Sequence, residues 1–183
     1  MANTSQQYDA VIELCRSLYL KKFHDYGAAW RILRIPSLTD QIFIKANRLR
    51  SIQDKGKQMV EDAMDGEFIG ILNYSLMALV QCERGIADQA DLNEAEALAV
   101  FNQQAQAAKA LMERKNHDYG EAWRDMRISS LTDLILQKIL RIKQIEDNAG
   151  KTLASEGIEA NYYDMVNYAA FALIKMNEEK TGQ

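Results

Sequence analysis

A histidine, an aspartate and a tyrosine lead into a glycine at His117 to Gly120, and the same four residues stand at His24 to Gly27. A neighbouring His and Asp can supply a general base or a metal-site pair. Adjacent residues on a helix do not face one another, however, so the two can equally cap the helix before them. In the functional reading Asp118 ligates magnesium and His117 touches a phosphate or a water. Tyr119, Trp123 and Arg127 follow at intervals of four, a spacing that can present an aromatic and cationic surface to a base. The competing reading packs Trp30 and Trp123 in the core beneath an arginine. Asp164, Asn167 and Tyr168 share one helix face, and a carboxylate and carboxamide so spaced can hold a hard cation such as magnesium through oxygen. Asp164 as a plain polar residue near a helix start fits the same spacing.

Nearly all of these residues are written twice. Shifting the chain by 93 positions aligns residues 22–54 with 115–147 and gives 19 identities in 33 positions, and after one inserted residue Asn73 and Tyr74 fall on Asn167 and Tyr168. Two copies are too few for a solenoid, so a pseudo-twofold arrangement is expected, with repeats at 1–84 and 91–183 packed as one unit across the short "GIADQADL". Apolar residues recur at helical spacing and Pro36 is the sole proline, which predicts an all-α fold of duplicated four-helix repeats forming a pseudo-twofold bundle. The expected helices run from about Tyr8 to Lys22 and Asp91 to Lys115, the latter with a capping box from Asp91 to Glu94. Gly27 and Gly120 supply the reversal, and a short helix carries Trp123 to Arg127. "SLTD" then opens a third helix, with Ser37 and Ser130 as caps. Asp40 and Asp133 read mainly as caps too. The fourth helices are expected at about Glu67 to Glu83 and Asn161 to Asn177.

The elements place the charges. At 100° per residue from Leu131, the apolar stripe of the third helix spans about 300° to 80°, and Lys138 falls at about 340°, inside it. Lys45 takes the same place in the first copy, and Arg141 and Arg48 flank them. An ammonium there must meet a carboxylate, line a cavity that holds an anion, or carry its amine outward. Lys138, Arg141, Arg127, Lys45 and Arg48 are therefore the candidate phosphate contacts, and internal salt bridging is the structural alternative. The fourth helices are apolar nearly all round, so Asn73 and Asn167 are expected to be buried and to need partners, either the His-Asp-Tyr-Gly reversal or a ligand.

A net charge of −4 lacks the basic excess of an extensive nucleic-acid surface. Cys15 and Cys82 have no metal-ligand spacing and read as small apolar residues. No apolar run is long enough to span a membrane and no leader is evident, which predicts a cytoplasmic protein with no membrane partner.

"KNHDYGEAWRDMRISSLTDLILQKILRIKQIEDN", with "EGIEANYYDMVNYAAFALI" downstream, resembles the bacterial and phage family called nucleotide modification associated domain 1, twice over. The resemblance implies a helical protein associated with base-modification systems. It carries over His117, Asp118, Tyr119, Gly120, Trp123, Arg127, Lys138, Arg141, Asp164, Asn167 and Tyr168. The first copy departs at Gly70 and in "FIGILNY", which sets a complete site there in question. A looser similarity to the all-helical nucleoside triphosphate pyrophosphatases concerns architecture: their EExxE string is missing, and only Glu156 and Asp164 echo it. The expectation is a protein that binds a nucleotide or another phosphorylated small molecule. Magnesium-dependent (pyro)phosphohydrolysis is the accompanying chemistry, and homodimerisation is left open. The alternative is a noncatalytic helical interaction module whose buried charges are structural ion pairs.

Overall fold

A computed structural model describes residues 3–55, 61–152 and 157–182. Among them six α-helices and two single 3-10 turns form an all-α bundle without strands. The first repeat holds α1 (Thr4–Tyr26), a 3-10 turn (Ala29–Ile32), α2 (Ile35–Lys55) and α3 (Glu61–Arg84). The second holds α4 (Glu94–Tyr119), a 3-10 turn (Ala122–Asp125), α5 (Ile128–Asp147) and α6 (Ile158–Thr181). The fourth-helix segments pair with each other most extensively, α3 against α6, with α2 and α5 packed on them and on each other; α1 and α4 lie across α3 and α6. One continuous core results, from Tyr8 on α1 through Leu72 on α3 to Leu173 on α6. No helix of the described residues is long and apolar enough to cross a membrane.

Several boundaries differ from expectation, each for a local reason. Both first helices run through the His-Asp-Tyr step and stop only at Gly27 and Gly120, whose φ of +60° and +65° suit a residue without Cβ. The capping box of α4 is Asn93 with Glu96, two residues beyond the expected pair, because Asn93 Oδ1 accepts from the Glu96 amide at 2.9 Å while Glu96 Oε1 accepts from the Asn93 amide at 3.1 Å. The third helices open at Ile35 and Ile128, so Ser37 and Ser130 lie inside the first turn and cap nothing. Pro36 is tolerated there because first-turn amides have no helical acceptor.

The repeated "SLTD" instead builds the seam between repeats. Leu38, Thr39, Leu131 and Thr132 are buried, Thr39 shares a 2.5 Å hydrogen bond with the Tyr162 hydroxyl, and Gln53 donates to Thr132 at 2.9 Å. Asp40 meets Lys143 at 3.6 Å and Asp133 meets Arg50 at 3.7 Å. Position 143 is the counterpart of position 50, so these are one contact written twice about the pseudo-twofold axis, with α2 and α5 antiparallel. The two aspartates are exposed cross-repeat partners, not caps.

The buried asparagines have fixed protein partners, and these do not come from the His-Asp-Tyr-Gly reversal. Asn73 donates to the Cys15 carbonyl at 3.1 Å and Asn167 to the equivalent Ala108 carbonyl at 3.2 Å, tying each fourth helix to its own first helix. The Tyr8 hydroxyl donates to Asn167 Oδ1 at 2.7 Å. The position matching Tyr8 is Phe101, and Asn73 Oδ1 is buried without a hydrogen-bond partner among the described residues. The mismatch makes a two-sided prediction. Tyr8→Phe is expected to destabilise by about 1–3 kcal/mol by orphaning Asn167, while Phe101→Tyr is expected to gain about 1 kcal/mol by satisfying Asn73. Urea unfolding midpoints check both signs. Cys15 is buried and Cys82 half-buried; both are free thiols whose burial pushes them up to about 12.

Candidate functional site

Lys138 stands on the core-facing stripe of α5 and α6 brings Asp164 to meet it: Nζ lies 2.9 Å from Asp164 Oδ2, with the two side chains 12% and 14% exposed. Lys115, from the last turn of α4, takes the other oxygen at 2.8 Å. Both carboxylate oxygens are thus occupied by ammonium groups from two different helices. Burial, then the Asp164 charge, pushes the neighbouring Tyr168 phenol up against the opposing pull of Lys115 and Arg141. Arg141 itself is exposed and makes no ion pair among the described residues.

The first repeat solves the same charge problem one helical turn away. Asp164 corresponds to Gly70, and a Cβ at Gly70 would lie 2.5 Å from Lys45 Cε, so the lysine stem occupies the space that the aspartate fills in the other copy. The acid comes from Glu67, which lies 2.7 Å from Arg48 and 3.7 Å from Lys45. Its counterpart is Asn161, which donates to the Gly157 carbonyl and leaves Arg141 without the partner that Arg48 has.

Each repeat also has a cavity where the glycine turn, the tryptophan and the fourth helix meet. In the second repeat it measures about 140 Å³ and is lined by Lys115, Tyr119, Trp123, Asp164, Asn167 and Tyr168. The first encloses about 360 Å³ among Tyr19, Phe23, Tyr26, Trp30, Tyr74 and Met77, with exposed Lys22 on its wall. The lining positions correspond, Lys22 with Lys115, Tyr26 with Tyr119, Trp30 with Trp123 and Tyr74 with Tyr168. The copy whose completeness the sequence put in question holds the larger cavity.

The model of the family described as nucleotide modification associated domain 1 matches the chain at residues 22–82 and again at 115–176. The chain belongs to that family, in two tandem copies. Comparison with curated proteins finds no match, and comparison with solved structures finds none either. Both domain copies begin at the lysine that opens the repeated string, Lys22 and Lys115, so the family's matched regions cover the cavity linings except for Tyr19 and Met112.

Within the second domain copy, the expected site residues divide. Tyr119, Trp123, Asp164, Asn167 and Tyr168 come together around the smaller cavity, and Lys138 reaches it through Asp164. His117 and Asp118 do not line it: they are 89% and 70% exposed and pair with each other at 3.3 Å. Arg127 precedes α5 as an exposed residue without an ion pair among those described. Trp123 stacks on Phe171 at 4.2 Å between centroids and 5° between planes, with the Arg124 guanidinium 4.4 Å from the indole centre. Lys22 and Lys115 were missed as site residues, although their identity in both copies was the available signal.

The donors do not fit the expected magnesium ion. Asp164 would have to release two ammonium groups, Asp118 is engaged with His117, and among the described residues no three His, Cys, Asp or Glu side chains converge as a metal site. Glu156 lies outside the described residues.

Proposed function

We propose that this family member is a nucleotide-binding module, with the base entering the aromatic cavity of the first repeat and the phosphates turned toward Lys22. The cavity carries the reading: about 360 Å³ is within the range of small-molecule sites, and its rings offer flat apolar faces beside a cation. Lys45 adds positive charge close by, its ammonium 5.9 Å from the centre of the Tyr74 ring that lines the same wall. The reading is binding without hydrolysis, because among the described residues no histidine, aspartate or glutamate lines this cavity. A noncatalytic scaffold is the second reading, favoured by the closed Lys138–Asp164 pair.

Calorimetric titration with the common ribo- and deoxyribonucleotides, with and without magnesium, tests it. Saturable binding is expected, weakened by Lys22→Ala or Tyr26→Ala, two exposed positions whose loss leaves the core intact. Absence of binding by every nucleotide to folded protein removes the reading.

A further inference from the structure

The two cavities differ most at one wall. Trp30 faces Met77, and the equivalent pair in the second repeat is Trp123 with Phe171. Methionine is unbranched and yields to a ligand, whereas the phenyl ring lies flat on the indole in van der Waals contact. The consequences agree across independent observations. Trp123 is buried and Trp30 only half-buried; the second cavity is less than half the size of the first. At the mouth of the first, Ile32 leaves a large apolar surface in water where the second repeat has Asp125, while Tyr26 and Tyr119 are exposed alike. On the polar side, Lys115 is engaged by Asp164, whereas the first repeat has glycine at that position and sends its acid, Glu67, to Lys45 and Arg48.

We propose that positions 77 and 171 decide which repeat is open: Met77 keeps the first cavity available to a planar aromatic ring bearing an anionic group, and Phe171 fills the second with a ring of its own. A duplicated protein then takes one ligand per chain. The assignment of that ligand as a nucleotide rests on the proposed function; the open and filled states do not.

The test uses 1-anilinonaphthalene-8-sulfonate, an aromatic ring system with an anionic group, beside the nucleotide that binds best, with stoichiometry read by fluorescence and calorimetry on the full chain. Wild type is expected to take one dye per chain. Met77→Phe should lose that site, and Phe171→Met should raise the stoichiometry to two, with cooperative thermal unfolding retained in both. Should Met77→Phe fold poorly, Ala29→Leu fills the same cavity from an exposed wall position and is expected to give the same loss. Two dyes per wild-type chain, or one dye that survives both Met77→Phe and Ala29→Leu, overturns the inference. If the dye follows the expected pattern and no nucleotide binds, the assignment of open and filled repeats stands and the nucleotide reading falls.

Discussion

Arg31→Ala is expected to lower stability by about 3 kcal/mol, a shift of roughly 6–12 °C in Tm for a chain of this size. The side chain is 3% exposed, and among the described residues its charge is met by one acid, Asp91 at 3.0 Å. Its other donors serve the Gly85 carbonyl at 2.8 Å and the buried Gln81 side-chain oxygen. Gln81 in turn donates to the Arg31 and Leu33 carbonyls at 2.9 and 2.8 Å, so one arginine ties α3, the 3-10 turn and the connection to the second repeat. Its removal orphans a buried amide oxygen, opens a void where the stem lay and frees the connection. Arg124, the counterpart, grips Glu178, Thr4 and Gln7 at 2.7–2.8 Å from a site that water reaches more easily, and Arg124→Ala should lose only about 1 kcal/mol. Urea titration of both variants checks the difference; equal losses would disprove the buried-clamp account. The hydrogen bonds from Arg31 also hold the Asp91 carboxyl below its usual range. The stability from that depressed value is present above the ordinary carboxylate range and is lost as pH falls through the depressed one, so Arg31→Ala should remove this component of the acid-side slope.

That clamp shows why the duplication, the helices and the family were legible while the roles were not. Periodicity reports which face of a helix is apolar, and it placed Lys138 on the core side of α5, where the structure has it. It carries nothing about which segment lies opposite. Repeated polar identities suggested a ligand site, yet Asp40, Asp133, Arg31, Arg124, Asn73 and Asn167 are repeated because a pseudo-twofold seam and each helix-to-helix tie must be made twice. Conversely the larger cavity depends on a difference between copies, Met77 against Phe171, which a comparison of identities passes over. The acid that neutralises Lys45 was hidden for the same reason: it moved from the position of Gly70 to Glu67, along one helix face and out of alignment.

Asp164→Ala is expected to cost about 3 kcal/mol, whereas Lys138→Met should change stability by about 1 kcal/mol or less. The asymmetry follows from the order of contacts. Asp164 holds two ammonium groups, so losing Lys138 leaves the carboxylate with Lys115 at 2.8 Å and replaces a desolvated charge by an apolar stem of similar length. Losing Asp164 leaves Lys138 on the apolar stripe of α5 with no acid, whereas Lys115 is half exposed and its charge is hydrated already. Lys138→Met with Asp164→Leu should recover most of the loss, since apolar replacement of a buried pair is often neutral or favourable. Chemical unfolding of the three variants gives the cycle. Inorganic phosphate adds a separate measurement: if the lysines can accept an external anion once the internal one is gone, phosphate should raise the Tm of Asp164→Ala by more than that of wild type, in which only the first-repeat contact at Lys22 is open, because binding to the folded state alone stabilises by mass action. A phosphate response in wild type equal to that of the variant would mean that Asp164 does not occupy the anion position, and a large loss in Lys138→Met would mean that Lys115 cannot hold the carboxylate alone.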